Sequence, residues 1–368
     1  MNRAAARVII IGAGLSGLYA AHLLARRGVR DYLVLEARDR PGGRILGAGP
    51  YDLGPAWFWP EVQPELDRVI RQLGLARHAQ YESGAMRVER GGPALSMNGY
   101  ASYPASMRLA GGMRALTDAL CQGLDPARLR VGHAVSRIRV DTGGIEVETM
   151  GPAGATATHA ADHVLLALPP RLALDSIAFA PELPPALAAQ WRATPTWMAP
   201  HAKYLAVYDT PFWREQGLSG QARSARGPLG EIHDASVVGG AALFGFFGLS
   251  AAVRAQVGEE ALRAHCRAQL ARLFGPLAAT PRKEFIKDWA QDPHTATQAD
   301  RGAAAGHASA PPVRAADGPW HGRLTAIASE WARTYPGYLA GAVEAATAGV
   351  EALSGSATDS VGGPMAKH

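Results

Sequence analysis

Apolar runs and their interruptions set out the elements of this chain before any residue chemistry is considered. Arg7 leads into the β-branched run Val8-Ile9-Ile10-Ile11, which stops at Gly12, Gly14 and Gly17; Leu18, Tyr19, Leu23 and Leu24 then recur at helical spacing. The pattern predicts a strand, a tight turn and a helix, and Tyr32-Leu-Val-Leu35 predicts a second strand that ends at Glu36. Further on, Pro64 to Leu73 has helical periodicity, Leu129 to Val131, Ala134 to Val140 and Ile145 to Thr149 read as strands, and Asp141 to Gly144 reads as a turn. The continuous apolar stretch Ala161 to Leu168 suits a buried parallel strand, and Pro169-Pro170 is expected to mark the crossing into a second lobe. Ala202 to Tyr208 alternates as a strand, Leu218-Ser-Gly220 and Gly230 to Asp234 read as hairpin material, and Glu259 to Phe274 is an amphipathic helix on which His265 is expected to pack. A strand ending at Ser329-Glu330, a glycine-bounded loop and a helix from about Leu339 close the pattern.

The first of these patterns carries chemistry. Gly12 permits the turn, Gly14 lets backbone approach a pyrophosphate, and Gly17 lets helix and strand pack closely. The helix's first turn, with Ser16 in it, presents unpaired N–H groups to phosphates. Glu36 lies at the distance where a carboxylate accepts the hydroxyls of an adenosine ribose. Together they read as a dinucleotide cradle.

Composition narrows the classes. The chain's 368 residues are enough for two lobes. The net charge of +5 comes mainly from scattered arginines, without basic runs or a helix-turn-helix signature, so neither nucleic acid nor a membrane is expected as a partner. Cys121 and Cys266 are far apart and outside any CxxC, which predicts neither disulfide nor zinc site and fits a cytoplasmic protein. The glycines and Ser16 interrupt the N-terminal apolar stretch where a signal peptide would need continuity, and no segment has the length of a membrane span. His159 and His163 lie four apart at a strand entry, so they read as solvated or capping residues and no metal site is expected. Lysine occurs only at Lys203, Lys283, Lys287 and Lys367. On an apolar strand Lys203 either faces water at an edge or points inward for a purpose, and the residues alone favour the edge.

The stretch Ala37-Arg38-Asp39-Arg40-Pro41-Gly42-Gly43-Arg44, followed by Tyr51-Asp52-Leu53-Gly54-Pro55-Ala56-Trp57, resembles the flavin-containing amine oxidase family. Two later stretches match it in order: Gly111-Gly112-Met113 before a helix, and Glu330 with Tyr335-Pro-Gly337-Tyr338-Leu339 before the last helix. The resemblance implies an α/β fold in which a doubly wound, Rossmann-type FAD-binding domain (residues 1–56, 107–170 and 291–352) joins a smaller mixed α/β substrate domain (57–106 and 171–290), with a flexible tail at 353–368. The loop from Arg301 to Ala316 is also expected to be flexible.

The same resemblance implies FAD as cofactor, with Arg38 and Arg44 as positive charges beside its diphosphate, Ala37, Gly43, Gly54, Pro55, Ala56 and Trp57 along it, and Val135 meeting the adenine through its backbone. Glu330 would accept from the ribityl or pyrophosphate region, and the helix N-terminus at Gly337 and Leu339 would face the flavin's N1–C2=O edge. It reverses the reading of Lys203, because the family has a lysine before a Pro-Phe-Trp such as Pro211-Phe212-Trp213 that holds water beside the flavin N5. Trp289 would pack near the isoalloxazine, and Tyr338 would be one wall of an aromatic pair whose other wall is missing around Gln298-Ala299. No cysteine occupies the segment from Asp292 to Arg301 where covalent members attach the flavin, so FAD is expected to be non-covalent. The short span between Trp57 and Gly111 implies a reduced substrate lobe. The activity implied is oxidation of an amine C–N bond: hydride passes to flavin N5, the imine is hydrolysed, and O2 or another electron acceptor reoxidises the flavin. The rivals are an FAD-dependent dehydrogenase, desaturase or isomerase acting on a non-amine substrate, and a flavin-binding module that assists a partner.

Overall fold

The computed structural model describes residues 4–302 and 309–355. The chain packs as two units, one built from the described residues of Met1–Gly43, Thr117–Trp197 and Ala305–His368, the other from Arg44–Leu116 and Met198–Ala304.

The first unit is an α/β layer structure of Rossmann type. Its central strand Ala4–Ile11 lies between the parallel strands Tyr32–Leu35 and Thr156–Leu166, and so Val8, Ile9, Ile10 and Ile11 are all buried: flanked on both edges and covered on both faces, a strand reads as an unbroken apolar run. Beyond Tyr32–Leu35 comes the parallel Leu129–Arg130; beyond Thr156–Leu166 come the antiparallel Gly144–Met150 and Ala134–Asp141, then Ala178–Ala180. The upper part of Thr156–Leu166 also pairs in parallel with Leu324–Ala326. One face of this sheet closes a core of Ile9, Ile11, Leu33, Leu35, Val164 and Leu166 with Trp191, Trp320 and Trp331. The helices Leu15–Arg26 and Leu339–Gly355 pack against each other, and a Cβ on Gly349 would lie 2.3 Å from Ile327 Cγ2.

The second unit is a seven-stranded sheet in the order Lys283–Asp288, Ala202–Tyr208, Ala241–Phe247, Leu229–Asp234, Leu218–Ser224, Ala85–Glu89, Leu95–Asn98. Its pairs are antiparallel except that between Leu218–Ser224 and Ala85–Glu89. The helix Glu259–Phe274 covers one face through Leu262, Cys266, Leu270, Leu273 and Phe274, a helical stripe on the sheet's aromatic core.

Several expectations need correcting. Pro169-Pro170 is not a crossing: Pro170 opens the helix Pro170–Ser176, a position where the missing N–H costs nothing, and the chain stays in the first unit through Trp197. His159 is neither solvated nor a cap, being 1 % exposed beside Thr149, and burial lowers its pKa. His265 stands on the exposed side of its helix. Packing also gathers the segment after Gly43 into the second unit, because Tyr51 and Leu53 share a cluster with Leu205, Ala242 and Phe244. The flexible loop expected at Arg301 to Ala316 falls in part on residues outside those described. The expected tail begins inside the helix Leu339–Gly355, and its remainder is likewise outside.

Candidate functional site

In the first unit, the glycines of the opening motif each meet a different constraint. Gly12 has φ +101°, a conformation that favours glycine, and a Cβ there would lie 2.8 Å from the Ala167 carbonyl oxygen. A Cβ on Gly17 would lie 1.9 Å from the Gly12 carbonyl oxygen, so helix and strand touch backbone to backbone. Gly14 differs: nothing in the protein lies within 4 Å of the position its Cβ would take. The space beside it is open, at the N-cap of a helix with no side-chain cap and no acid in its first turn. That is the form of an anion cradle, and Gly43, whose own Cβ would sit 3.2 Å from Gly14 Cα, brings the second glycine loop onto the same place.

Glu36, 4 % exposed, ends its strand with one carboxylate oxygen accepting the Ala13 N–H at 2.7 Å and the other accepting the Arg38 N–H at 2.9 Å. Each oxygen keeps lone-pair capacity for a ribose hydroxyl. Ala37 follows it half-buried, and Arg38 extends a guanidinium nitrogen to 3.7 Å from the Glu36 carboxylate. The chain leading to Val135 runs alongside: the His133 N–H donates to the Glu36 carbonyl at 2.8 Å, and the Gly132 N–H to that of Arg38 at 2.7 Å. Thus Gly12, Gly14, Ser16, Gly17, Glu36, Ala37, Arg38 and Gly43 gather at the ends of the parallel strands, where doubly wound sheets bind ligands, and Val135 follows two residues after His133 on the antiparallel strand Ala134–Asp141. On the same unit Glu330 is buried and accepts from the Ser329 hydroxyl at 3.1 Å, and Gly337, with φ +82°, precedes Tyr338 and the helix start at Leu339. Trp197, which the sequence reading did not single out, packs on Tyr338 with ring centroids 4.7 Å apart and tilted by 45°. It also fills the space a Cβ on Gly337 would need, at 3.1 Å.

The second unit gathers the other candidates. Lys203 sits on Ala202–Tyr208, which is flanked on both sides, opposite Phe246 on one neighbour and Lys287 on the other. It is 2 % exposed, so the edge reading of the residues alone is overturned. Its Nζ donates to the Asp52 carbonyl at 3.2 Å and the Gly54 carbonyl at 2.5 Å and stands 4.3 Å from the Phe244 ring centre. Burial pulls its pKa down to about 7, with Asp52 pushing it up and Arg108 pressing it further down. Gly54 is needed as glycine because a Cβ would meet the Arg44 carbonyl oxygen at 2.0 Å. Pro55 and Ala56 carry the chain to Trp57, which lies edge-on to His233, 5.3 Å from Phe244, and donates through Nε1 to Gln80 at 2.7 Å. Trp289 donates through Nε1 to the Leu53 carbonyl at 3.2 Å. Lys203, Trp57 and Trp289 therefore meet on one short segment, Asp52 to Trp57. Arg108, Phe244 and Phe246 were missed. The signal for the first was an arginine inside the apolar triplet Met107–Leu109, and for the others the alternation of Phe244-Gly-Phe246 on a strand.

Among the described residues no group of histidine, cysteine and acidic side chains could hold a metal ion, and no helix is long and apolar enough to cross a membrane.

Residues 81–353 match the family model described as flavin containing amine oxidoreductase, and residues 10–73 match an NAD(P)-binding Rossmann-like domain. A protein of Dictyostelium discoideum provisionally named flavin-containing monoamine oxidase A is 29 % identical over 249 residues, covering 64 % of this chain and 51 % of that protein, so the match spans about half the relative's length. One of Mycobacterium tuberculosis, provisionally named flavin-containing monoamine oxidase AofH, is 27 % identical over 449 aligned positions covering 91 % of this chain and 94 % of that protein. The alignment is longer than this chain, so that relative carries segments absent here. A solved structure of a putrescine oxidase variant superposes with a TM-score of 0.79 at 20 % identity, covering 96 % of this chain and all of that one, which shows a shared fold. With three quarters of its length matched by that family model, the chain belongs to the flavin containing amine oxidoreductases.

Proposed function

We propose that this chain is an FAD-dependent amine oxidase that holds its flavin without a covalent bond. The observation that carries the reading is Lys203: a fully buried ammonium with two of its three N–H donors committed to the Asp52 and Gly54 carbonyls, on the segment that follows the Gly-Gly-Arg loop. The third N–H is the one that would hold a water molecule. Bound FAD would supply the redox chemistry, taking a hydride from the α-carbon of a neutral amine and passing the electrons to O2. The protein's part is positioning and electrostatics. Gly12 and Gly17 shape the turn and seat the helix on the strand, Gly14 and Gly43 leave room for the pyrophosphate, Glu36 takes the ribose hydroxyls, and Glu330 and the helix start at Leu339 serve the flavin end. Trp57 and Trp289 exclude water from the Lys203 side, and the ammonium orients the water that hydrolyses the imine while favouring negative charge as O2 is reduced. No side-chain base is required when the amine arrives deprotonated.

Non-covalent attachment is supported by the two thiols. Burial raises the pKa of Cys121 to about 11 and that of the fully buried Cys266 higher still, which disfavours the thiolate form that attachment would need.

One observation favours a second reading, an FAD-dependent dehydrogenase, desaturase or isomerase on a non-amine skeleton. Trp197 covers one face of Tyr338 at contact distance, which leaves no slot between those two rings for an amine. Anaerobic mixing of the purified protein with monoamines, polyamines and amino acids decides between them. Bleaching of the flavin, with peroxide formed on admitting O2, supports the oxidase; bleaching only by non-amines supports the second reading. Acid precipitation should leave the yellow colour, of FAD mass, in the supernatant.

A further inference from the structure

Lys203 is not buried alone. Asp52 Oδ1 accepts the Met113 N–H at 2.7 Å, while Oδ2 lies 3.7 Å from an Arg108 guanidinium nitrogen and has no hydrogen-bond partner. Both side chains are at most 3 % exposed. Gly112, with φ +80°, is shaped to this seat, since a Cβ there would come within 2.9 Å of Asp52 Oδ1. The neighbouring charges are otherwise matched. Asp234 is taken by the bidentate Arg214 and by Trp213 Nε1, and Lys287, the cross-strand neighbour of Lys203, is paired with Asp292 at 2.8 Å. Asp234 still attracts Arg108 through space, but Asp52 is the carboxylate that acts on both buried cations, Lys203 and Arg108.

We propose that Asp52 is a positioning residue whose carboxylate, seated by the Met113 amide and Arg108, is the counter-charge that keeps Lys203 protonated in its apolar pocket, while its backbone carbonyl aims the ammonium. An ammonium against Phe244 and Phe246 would otherwise shed its proton, since an uncompensated buried charge is far costlier than a neutral amine. The directions of the shifts agree: burial lowers Lys203 and raises Asp52, and each holds the other's charged form against that burial. Arg108 acts on both, helping Asp52 stay ionised and opposing the charge on Lys203. The functional meaning of this device rests on the oxidase reading, but the device itself lies wholly within the second unit.

With four lysines in the chain, the test is direct. The holoprotein is labelled with 13C at lysine Cε and titrated by NMR between about pH 5 and pH 10, the Lys203 signal being assigned by its loss in Lys203→Met. In the wild type that signal should titrate near 7. Asp52→Asn should move its midpoint down by about one pH unit or more, the order expected from losing an opposite charge at close range; Asp52→Glu should restore most of it. A midpoint that stays within about 0.2 unit in Asp52→Asn, where loss of a nearby opposite charge in a buried pocket would shift it far more, overturns the proposal. If Asp52→Asn does not fold, Asp52→Ser takes its place, with the same downward shift expected and an unmoved midpoint overturning the proposal. A shifted midpoint with unchanged flavin turnover in both Asp52→Asn and Lys203→Met would leave the charge pair standing and remove the oxidase role of Lys203. An unshifted midpoint would do the reverse to the pair alone.

Discussion

The two regions to which the proposal assigns the chemistry are built in opposite ways. The cradle of the first unit is made of absence: glycines whose missing side chains let backbone meet backbone at Gly17 and leave the space beside Gly14 open. The Lys203 pocket of the second unit is made of presence, a charge set against aromatic rings and two carbonyls beside a carboxylate it shares with Arg108. A site of the first kind tolerates no added atom, and one of the second tolerates no removed charge. Added bulk should therefore disrupt the cradle's packing glycines as it would Gly54 and Gly112 of the pocket, whereas isosteric removal of charge should fall hardest on the second unit.

The largest effect is expected at Gly17. Gly17→Val places carbon where the Gly12 carbonyl oxygen already is, and such overpacking against backbone costs about 3 kcal/mol or more. The variant should be poorly soluble, or show a lowered denaturant midpoint with or without flavin. Gly14→Val sharpens the contrast: nothing in the protein opposes its side chain, so fold and midpoint of the flavin-free protein should hold while FAD content drops. If the two variants behaved alike, the distinction between a packing glycine and a ligand-facing one would collapse.

Next comes Lys203→Met, which keeps the stem and deletes the charge. Flavin content should match the wild type while turnover falls by a factor on the order of ten to a thousand, the range for losing one preorganised electrostatic group. Oxygen consumption alongside anaerobic flavin reduction assigns the loss to one half-reaction or both, and wild-type rates in each would strike Lys203 from the mechanism.

Glu36→Ala stands between the two kinds, since it removes a charge from the cradle. Charge-assisted hydrogen bonds are worth about 1.5–3 kcal/mol each, so FAD affinity should weaken by tenfold or more, read by fluorescence of released flavin on dilution. Loss of the Ala13 and Arg38 N–H partners should also lower the melting temperature by a few degrees, and an unchanged affinity would remove Glu36 from the ribose site.

The smallest effect is a pH dependence. A lysine whose pKa is lowered to about 7 is charged below that pH and neutral above it. Reoxidation of reduced flavin by O2, which involves no amine, should thus slow severalfold as pH rises through 7 in the wild type and be flat in Lys203→Met. Stability should run the other way. The unfolded lysine still binds its proton between 7 and its ordinary value, so this group makes the fold more stable as pH rises across that window. A reoxidation rate that is level across neutrality in the wild type would show that the ammonium takes no part.

The cradle was legible in the chain because it is local. Strand, glycines, helix, second strand and Glu36 fall within the first forty residues, and each obeys a rule about its own backbone: positive φ at Gly12, close approach at Gly17, an apolar run for a doubly flanked strand. The resemblance added which residues of the later segments to watch, among them Lys203, Trp289 and Glu330. What the sequence could not determine by itself is what surrounds a residue from far along the chain. Whether Lys203 faced water or the interior depended on the Lys283–Asp288 strand pairing outside it, some eighty positions later. The roles of Arg108, Phe244 and Asp52 depended on strand register, which no local propensity encodes. Burial turns an ordinary lysine, aspartate and arginine into a coupled set, because charges removed from water must find one another within a few ångströms. That condition is imposed by tertiary packing alone, and the same three residues on a solvated strand would carry no chemistry.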